Sequence, residues 1–339
     1  MKIVLMALTY VLCVAAQLAH AESAQWREAA RYKLGGSGGW DLMTVDASAR
    51  RLYVTRGDHV MVVDVDHGTL AGDLPGFQRA HGVAIVPKHH RGYVSSGGDN
   101  EVVAFDTTTL AIIGKIAVDK NPDAILYDPK SDRVLAFNGG SNTVSLIDPA
   151  NDSVSATIAL PGKPELAVGN GTGSVFVNLE DVAKVARLDV AAHRVASVWA
   201  LPECEDPSGI ALDSVNGRVF SVCRNRHMIV TDARTGRHVA TVAIGSGPDG
   251  AAFDPASRDA FSPNSDGTLT VVHELDKNHF AVEQTLSTPP RSRCITFDEG
   301  THRAILATAA FGPVTDPKDA HARPPMMPDS FGLLVVGKD

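Results

Sequence analysis

Residues 122–160 read PDAILYDPKSDRVLAFNGGSNTVSLIDPANDSVSATIAL. Four short runs stand out: AILYD (124–128), RVLAF (133–137), TVSLID (143–148) and SATIAL (155–160). Val, Ile, Leu, Phe and Tyr dominate them, as strands prefer. Between them lie Pro129-Lys130-Ser131-Asp132, Asn138-Gly139-Gly140-Ser141-Asn142 and Pro149-Ala150-Asn151-Asp152. These are turn compositions, because Gly and Asn tolerate left-handed backbone and Asp and Ser bond nearby amides. The chain shows no sustained 3.6-residue period, so almost no helix is expected.

The same phrase recurs along the chain. Its opening pairs are Trp40-Asp41, His81-Gly82, Pro122-Asp123, Pro164-Glu165, Pro207-Ser208, Pro248-Asp249 and Ser292-Arg293, spaced 41 to 44 residues apart. A repeated four-stranded unit of this length is the signature of a β-propeller blade. The seventh unit has CITFD (294–298), RAILAT (303–308) and FGLLVVG (331–337) and then runs out of chain. A surplus strand, Glu28 to Leu34, precedes the first unit. The expectation is therefore an all-β, seven-bladed β-propeller with four-stranded antiparallel blades. Its ring is closed by the N-terminal strand pairing with the C-terminal blade, which also removes exposed edges.

Here a resemblance becomes specific. RLYVTRGDHVMVVDV (51–65), PDAILYDPKSDRVLAFNGGSNTVSLID (122–148), KPELAVGNGTGSVFVNLED (163–181) and GRVFSVCRNRHMIVTDARTGRHVATVAIGSGPDGAAFDP (217–255) carry it. The chain resembles the YVTN-repeat, YncE-like family of seven-bladed propellers, found mostly in exported bacterial proteins. The resemblance spans residues 28–339. It bears on fold rather than function, since these phrases encode strands and turns, not chemistry.

Length alone, 339 residues, suggests about two domains. The repeat replaces this with a signal peptide at 1–21 and one propeller domain at 22–339. Lys2 precedes an apolar run from Ile3 to Leu18, and Ala19-His20-Ala21 follows as a small-x-small cleavage pattern. A membrane anchor fits less well, because the run is short and lacks a Lys/Arg stop. Cys13 is no lipoprotein cysteine, since Leu12 stands where a small residue is wanted. No later segment is apolar enough to span a bilayer. The expected location is periplasmic or secreted, and the expected state is a monomer. The net charge is −8, and −9 once Lys2 leaves with the leader. That acidity argues against general nucleic-acid binding, which needs clustered Lys and Arg.

In a propeller the opening pairs line one mouth. Their polar members are Asp41, His81, Asp123, Glu165, Ser208, Asp249 and Arg293. The loops between second and third strands add Arg56, Asp58, His59, Asp99, Asn100, Asn138, Asn142, Asn178, Glu180, Asp181, Arg224, Asn225, His227, Asn264 and Asp266. Glu205 and Asp206 share that rim. Crowded carboxylates raise one another's pKa or demand a cation, which makes the mouth an acidic funnel. The ligand-binding candidates are Asp41, His81, Asp123, Glu165, Asp249, Arg293, Asn138, Asn178, Glu180 and Asn225. Asp41, His81, Asp123, Glu165 and Asp249 are the candidate ligands for a divalent metal, the one cofactor considered. The plainer alternative is that Pro-Asp before a strand is a turn signal whose carboxylate caps backbone amides.

The segment 311–330 breaks the period, with Pro313, Pro317, Pro324, Pro325, Pro328, His321, Met326 and Met327. A loop this long is functional or irregular, and by position it belongs to the mouth, as a lid or a simple insertion. Cys204 precedes the first strand of the fifth unit and Cys223 ends its second. Antiparallel pairing brings them within disulfide reach; two metal-binding or reduced thiols are the alternative. Cys294 is expected as a buried free thiol. Gly35-x-Ser37-x-Gly39 lacks the strand–helix context of a nucleophile elbow. His273-Glu274 lacks a second His, and Asp64-x-Asp66-x-Gly68 lacks the later calcium ligand. The leading functional expectation is a binding or scaffold module that recognises a small ligand, protein or peptide at the mouth. The alternative is a metal-assisted hydrolase or lactonase using the same cluster, with a metal-bound water as nucleophile.

Overall fold

The computed structural model describes residues 25–314 and 324–338. The leader at 1–21 lies outside the described residues. Among these the chain forms 27 strands and two 3-10 turns, at Pro87–His89 and Glu180–Val182. The unit at 122–160 gives Pro122–Asp128, Arg133–Asn138, Thr143–Asp148 and Ser153–Ala159, hydrogen-bonded in that order. All strand pairs are antiparallel and fall into six sheets, five of four strands and one of seven. In the seven-stranded sheet, Thr69–Val86 pairs with Gly57–Asp64 through its first part and with Arg91–Ser96 through its last. This organisation fits a β-propeller.

Burial explains the sequence pattern. Second and third strands, such as Arg133–Asn138, are buried on both faces because neighbouring sheets cover each side. They therefore read as unbroken apolar runs. Outer strands such as Ser153–Ala159 are mostly exposed and mix polar with apolar residues. Between sheets the apolar side chains interlock. Leu135, Phe137 and Leu146 meet Val175, Val177 and Leu188 of the next sheet. Truncating a fully buried ring such as Phe137 to Ala is expected to cost about 3–5 kcal/mol.

The two chain ends share one sheet. Trp26–Lys33 pairs antiparallel with Gly332–Lys338, which continues into Arg303–Thr308 and Ile295–Asp298. Trp26 is buried, and its indole N–H donates to Asp259 Oδ2 of a neighbouring sheet (2.7 Å). Lys338 Nζ reaches the same carboxylate (3.0 Å) and Glu283 (3.2 Å). Asp259, His273 and Glu283 also lie close enough to hold a metal, but Lys338 and Trp26 already compensate Asp259. First strands approach each other closely where glycine opens them: a Cβ on Gly209 would lie 2.4 Å from the Gly250 carbonyl carbon.

Cys204 and Cys223 form a disulfide, with Cα atoms 5.4 Å apart. A loop this short contributes roughly 3 kcal/mol. Cys294 is a buried free thiol. Among the described residues no helix is long and apolar enough to cross a membrane. That and the disulfide are compatible with a periplasmic or extracellular protein.

Candidate functional site

Three of the opening residues meet. The metal-capable atoms of Asp41, His81 and Asp123 lie within 4.8 Å of one another. Backbone and hydroxyl bonds, two within the seven-stranded sheet and one across to the next sheet, bring them there. The Leu42 N–H donates to the His81 carbonyl (3.0 Å), as does the Thr55 hydroxyl (2.9 Å). The Ser95 hydroxyl donates to the Asp123 carbonyl (2.5 Å). Thr55 and Ser95 are fully buried. They lie at the ends of second strands, where the sequence reading named charged residues and asparagines but no hydroxyls.

His81 Nδ1 stands 2.6 Å from Asp41 Oδ2 and 3.7 Å from Asp123 Oδ1. Burial pulls the imidazole pKa down. The Asp41 bond and the charges of Asp123 and Asp41 outweigh it, so the pKa is raised. Nε2 makes no hydrogen bond and packs on Gly97, where a Cβ would lie 2.7 Å away. Two ligands on one tetrahedral ion would stand roughly 3.4 Å apart. The 2.6 Å separation is a hydrogen-bond length, so the trio is drawn together as an imidazole bonded to Asp41 with Asp123 beside it. Opened slightly, the same donor set suits a divalent ion.

Glu165 and Asp249 stand apart from this trio. Burial, then Asp123 and Glu180, push the Glu165 carboxyl up to about 8. Burial, then Asp41 and Asp123, push Asp249 up to about 6 against the pull of Arg293. Asp123 is raised too, chiefly by burial. Each acid has a basic neighbour. Lys163 Nζ bonds Glu180 and lies 4.0 Å from Glu165, and Arg293 Nε lies 3.3 Å from Asp249. The residues of the expected acidic funnel are thus paired and partly protonated groups. Lys163 was missed, although it sits two residues before Glu165 in the repeat phrase.

Other expected residues serve the scaffold. Asn138 is fully buried, and its amide donates to Thr143 Oγ1 (3.1 Å) and Ser145 Oγ (3.0 Å). Asn178, also buried, donates to the carbonyls of Ser208 and Gly209 (3.0 Å each) and accepts from Ser221 (2.8 Å). These two amides join strands and sheets and present no surface to a ligand. Asn225 donates to the Glu203 carbonyl (2.8 Å) beside the disulfide. Arg56 is buried, donates to the carbonyls of Ser37, Gly38 and Gly39, and lies 3.8 Å over the Phe331 ring. The glycine-rich linker is therefore a wrap around one guanidinium.

Beside the trio opens a cavity of about 420 Å³. Asp41, Asp249, Arg291, Arg293 and Cys294 supply its polar lining; Trp40, Phe311, Pro324 and Met326 supply an apolar wall. Phe311 and Met326 are the two feet of the 311–330 segment and form an antiparallel bridge. Gly312 N–H donates to the Pro325 carbonyl (2.9 Å) and Met327 N–H to the Ala310 carbonyl (2.8 Å). Residues 315–323, the body of the expected lid, lie outside the described residues. Cys294 Sγ is 3.7 Å from Asp249 Oδ2, and burial with that charge raises the thiol pKa. It stays protonated and is a poor nucleophile.

No family model and no curated protein matches this sequence. Among solved structures, the chain is similar in fold to Kuenenia stuttgartiensis hydrazine synthase. The TM-score is 0.51 at 15% identity, over 71% of this chain and 97% of that one. At such identity the likeness concerns the fold alone.

Proposed function

We propose that this chain is a seven-bladed, YncE-like propeller, exported by its 1–21 leader, and that it binds a small ligand at the mouth. Thr69–Val86 serves two neighbouring units, which turns the six sheets into seven blades. Packing of Met43, Leu52 and Val54 against Ile305, Ala307 and Phe331 supports a ring closed between first and last blades. The disulfide suits an oxidising compartment.

One observation carries the binding reading. The cavity at the converging strand ends combines a few charged groups with an apolar wall, the usual make-up of a small-molecule site. The reactive side chains at and beside it are restrained: His81 Nδ1 is engaged by Asp41 while its Nε2 is buried without a hydrogen bond, and Cys294 stays a thiol. A metal-assisted hydrolase or lactonase is the second reading, favoured by the gathering of Asp41, His81 and Asp123. Those three would hold the ion, and the ion would supply an activated water.

A metabolite-library thermal shift, with elemental analysis of the exported protein, separates the two. A ligand whose stabilisation is lost in Asp249→Asn supports the binding module. Stoichiometric metal lost in Asp123→Asn, with lactone hydrolysis, replaces it with the enzyme.

A further inference from the structure

Resting on the mouth as the ligand site, we infer that its ligand is a small zwitterion of amino-acid type with an apolar side chain. The cavity lining is balanced in charge. Asp41 faces it with a side chain 36% exposed, its Oδ2 engaged by His81. Arg293 gives only Nε to Asp249, at 3.3 Å, and is 45% exposed. Its terminal nitrogens form the fork that takes a carboxylate in two parallel bonds. Arg291 stands 5.3 Å over the Phe311 ring, at the boundary between the charged and apolar walls. Trp40, Phe311 and Met326 form the apolar side, with the two rings 6.0 Å apart.

A purely cationic ligand would meet Arg291 and Arg293 at the same opening. A purely anionic one would meet Asp41 and Asp249. Asp249 already pairs with Arg293 and Asp41 with His81, so a ligand of one sign competes with these pairs and is repelled by the like charges beside them, which is how sites reject the wrong ligand. An ammonium and a carboxylate on one carbon satisfy both signs together, and the aromatic wall takes the side chain. A volume of about 420 Å³ admits a molecule of that size and falls at the small end of ordinary ligand pockets.

The test is calorimetric titration of the full mature chain with L-phenylalanine, L-leucine, phenethylamine and 3-phenylpropionate. The amino acids are expected to bind, and each one-charge analogue to bind at least about tenfold more weakly, as loss of a charged hydrogen bond implies. Arg293→Gln, checked for an unchanged melting curve, is expected to weaken phenylalanine about tenfold and leave phenethylamine unaltered. Phenethylamine or 3-phenylpropionate binding as tightly as phenylalanine overturns the inference. So does a failure of both amino acids to bind while a library ligand still responds to Asp249→Asn, which leaves the mouth reading standing. No ligand responding to Asp249→Asn overturns both.

Discussion

Aspartates occupy both ends of the strands, and they behave oppositely. At the end carrying the first–second and third–fourth turns, many carboxylates are satisfied by their own turns. Asp46 accepts from the amides of Ser48 (3.0 Å) and Ala49 (3.1 Å), and Asp213 from Val215 (2.8 Å) and Asn216 (3.2 Å). Bonds from His67, Thr109 and His279 hold Asp64, Asp106 and Asp276 below the usual carboxylate range. At the mouth, Asp123, Glu165 and Asp249 are pushed above that range, first by burial. Asp123 and Asp249 find their partners, His81 and Arg293, in other units, and Glu165 finds Lys163 two residues away. The same side chain is therefore a local fastener at one end and a tertiary problem at the other. Glu274 is the exception at the turn end: burial and Asp213 push it up to about 7.

Breaking the mouth should cost the most. His81→Ala leaves Asp41 and Asp123 facing each other, and a buried pair broken in this way typically loses about 3–5 kcal/mol. Urea unfolding is expected to show a drop near the lower figure. Because the folded His81 pKa is raised, its stabilisation is present below the unfolded pKa and fades as pH rises through the folded one. The loss should accordingly be larger at pH 6 than at pH 9. An equal loss at both would mean that the imidazole charge is unimportant.

Next comes the covalent tie at the mouth end of the fifth unit. Cys204→Ser with Cys223→Ser removes the disulfide, and a loss of roughly 2–3 kcal/mol is expected. Non-reducing peptide mapping of the exported protein should recover the Cys204–Cys223 pair; free Cys204 would remove that tie from the comparison.

Glu165→Gln should act in the stabilising direction. The folded pKa, about 8, exceeds the unfolded value, so ionisation penalises the folded state progressively from about pH 4.5 to 8. The variant is expected to melt about 2–5 °C higher at pH 9 and unchanged at pH 4. A lower melting point at pH 9 would show that Lys163 makes Glu165 a net fastener. Smallest of all is the exposed turn residue Asp106. Asp106→Ala should move the melting point by no more than about 2 °C; a larger fall would erase the contrast between the two ends.

Much of the fold was legible because its causes are local. Gly139, Asn142 and Asp152 mark turns by their backbone preferences, and RVLAF reads as a doubly covered strand from composition. The Cys204–Cys223 pairing followed from strand direction. The site was legible only in part. Asp41, His81 and Asp123, singled out by their equivalent places in the repeat, do lie together. Asn138 and Asn178 were misread, because a polar residue at a strand end looks the same whether it faces solvent or a neighbouring sheet. Lys163 was overlooked although its partners Glu165 and Glu180 lie in its own unit; Arg291 and the Trp40–Phe311 wall were overlooked because their roles arise between segments far apart in sequence.

The sequence by itself determined the repeat, the strands and turns, and the order in which polar groups reach the mouth. Each depends on residues a few places apart, whose geometry the backbone dictates. Only the tertiary structure decided the state of those groups. Burial and the distance to charges on other sheets set a carboxyl's pKa, and neither is written in neighbouring residues. A count of acids thus became a set of paired, partly protonated groups beside a cavity walled by the feet of the 311–330 segment.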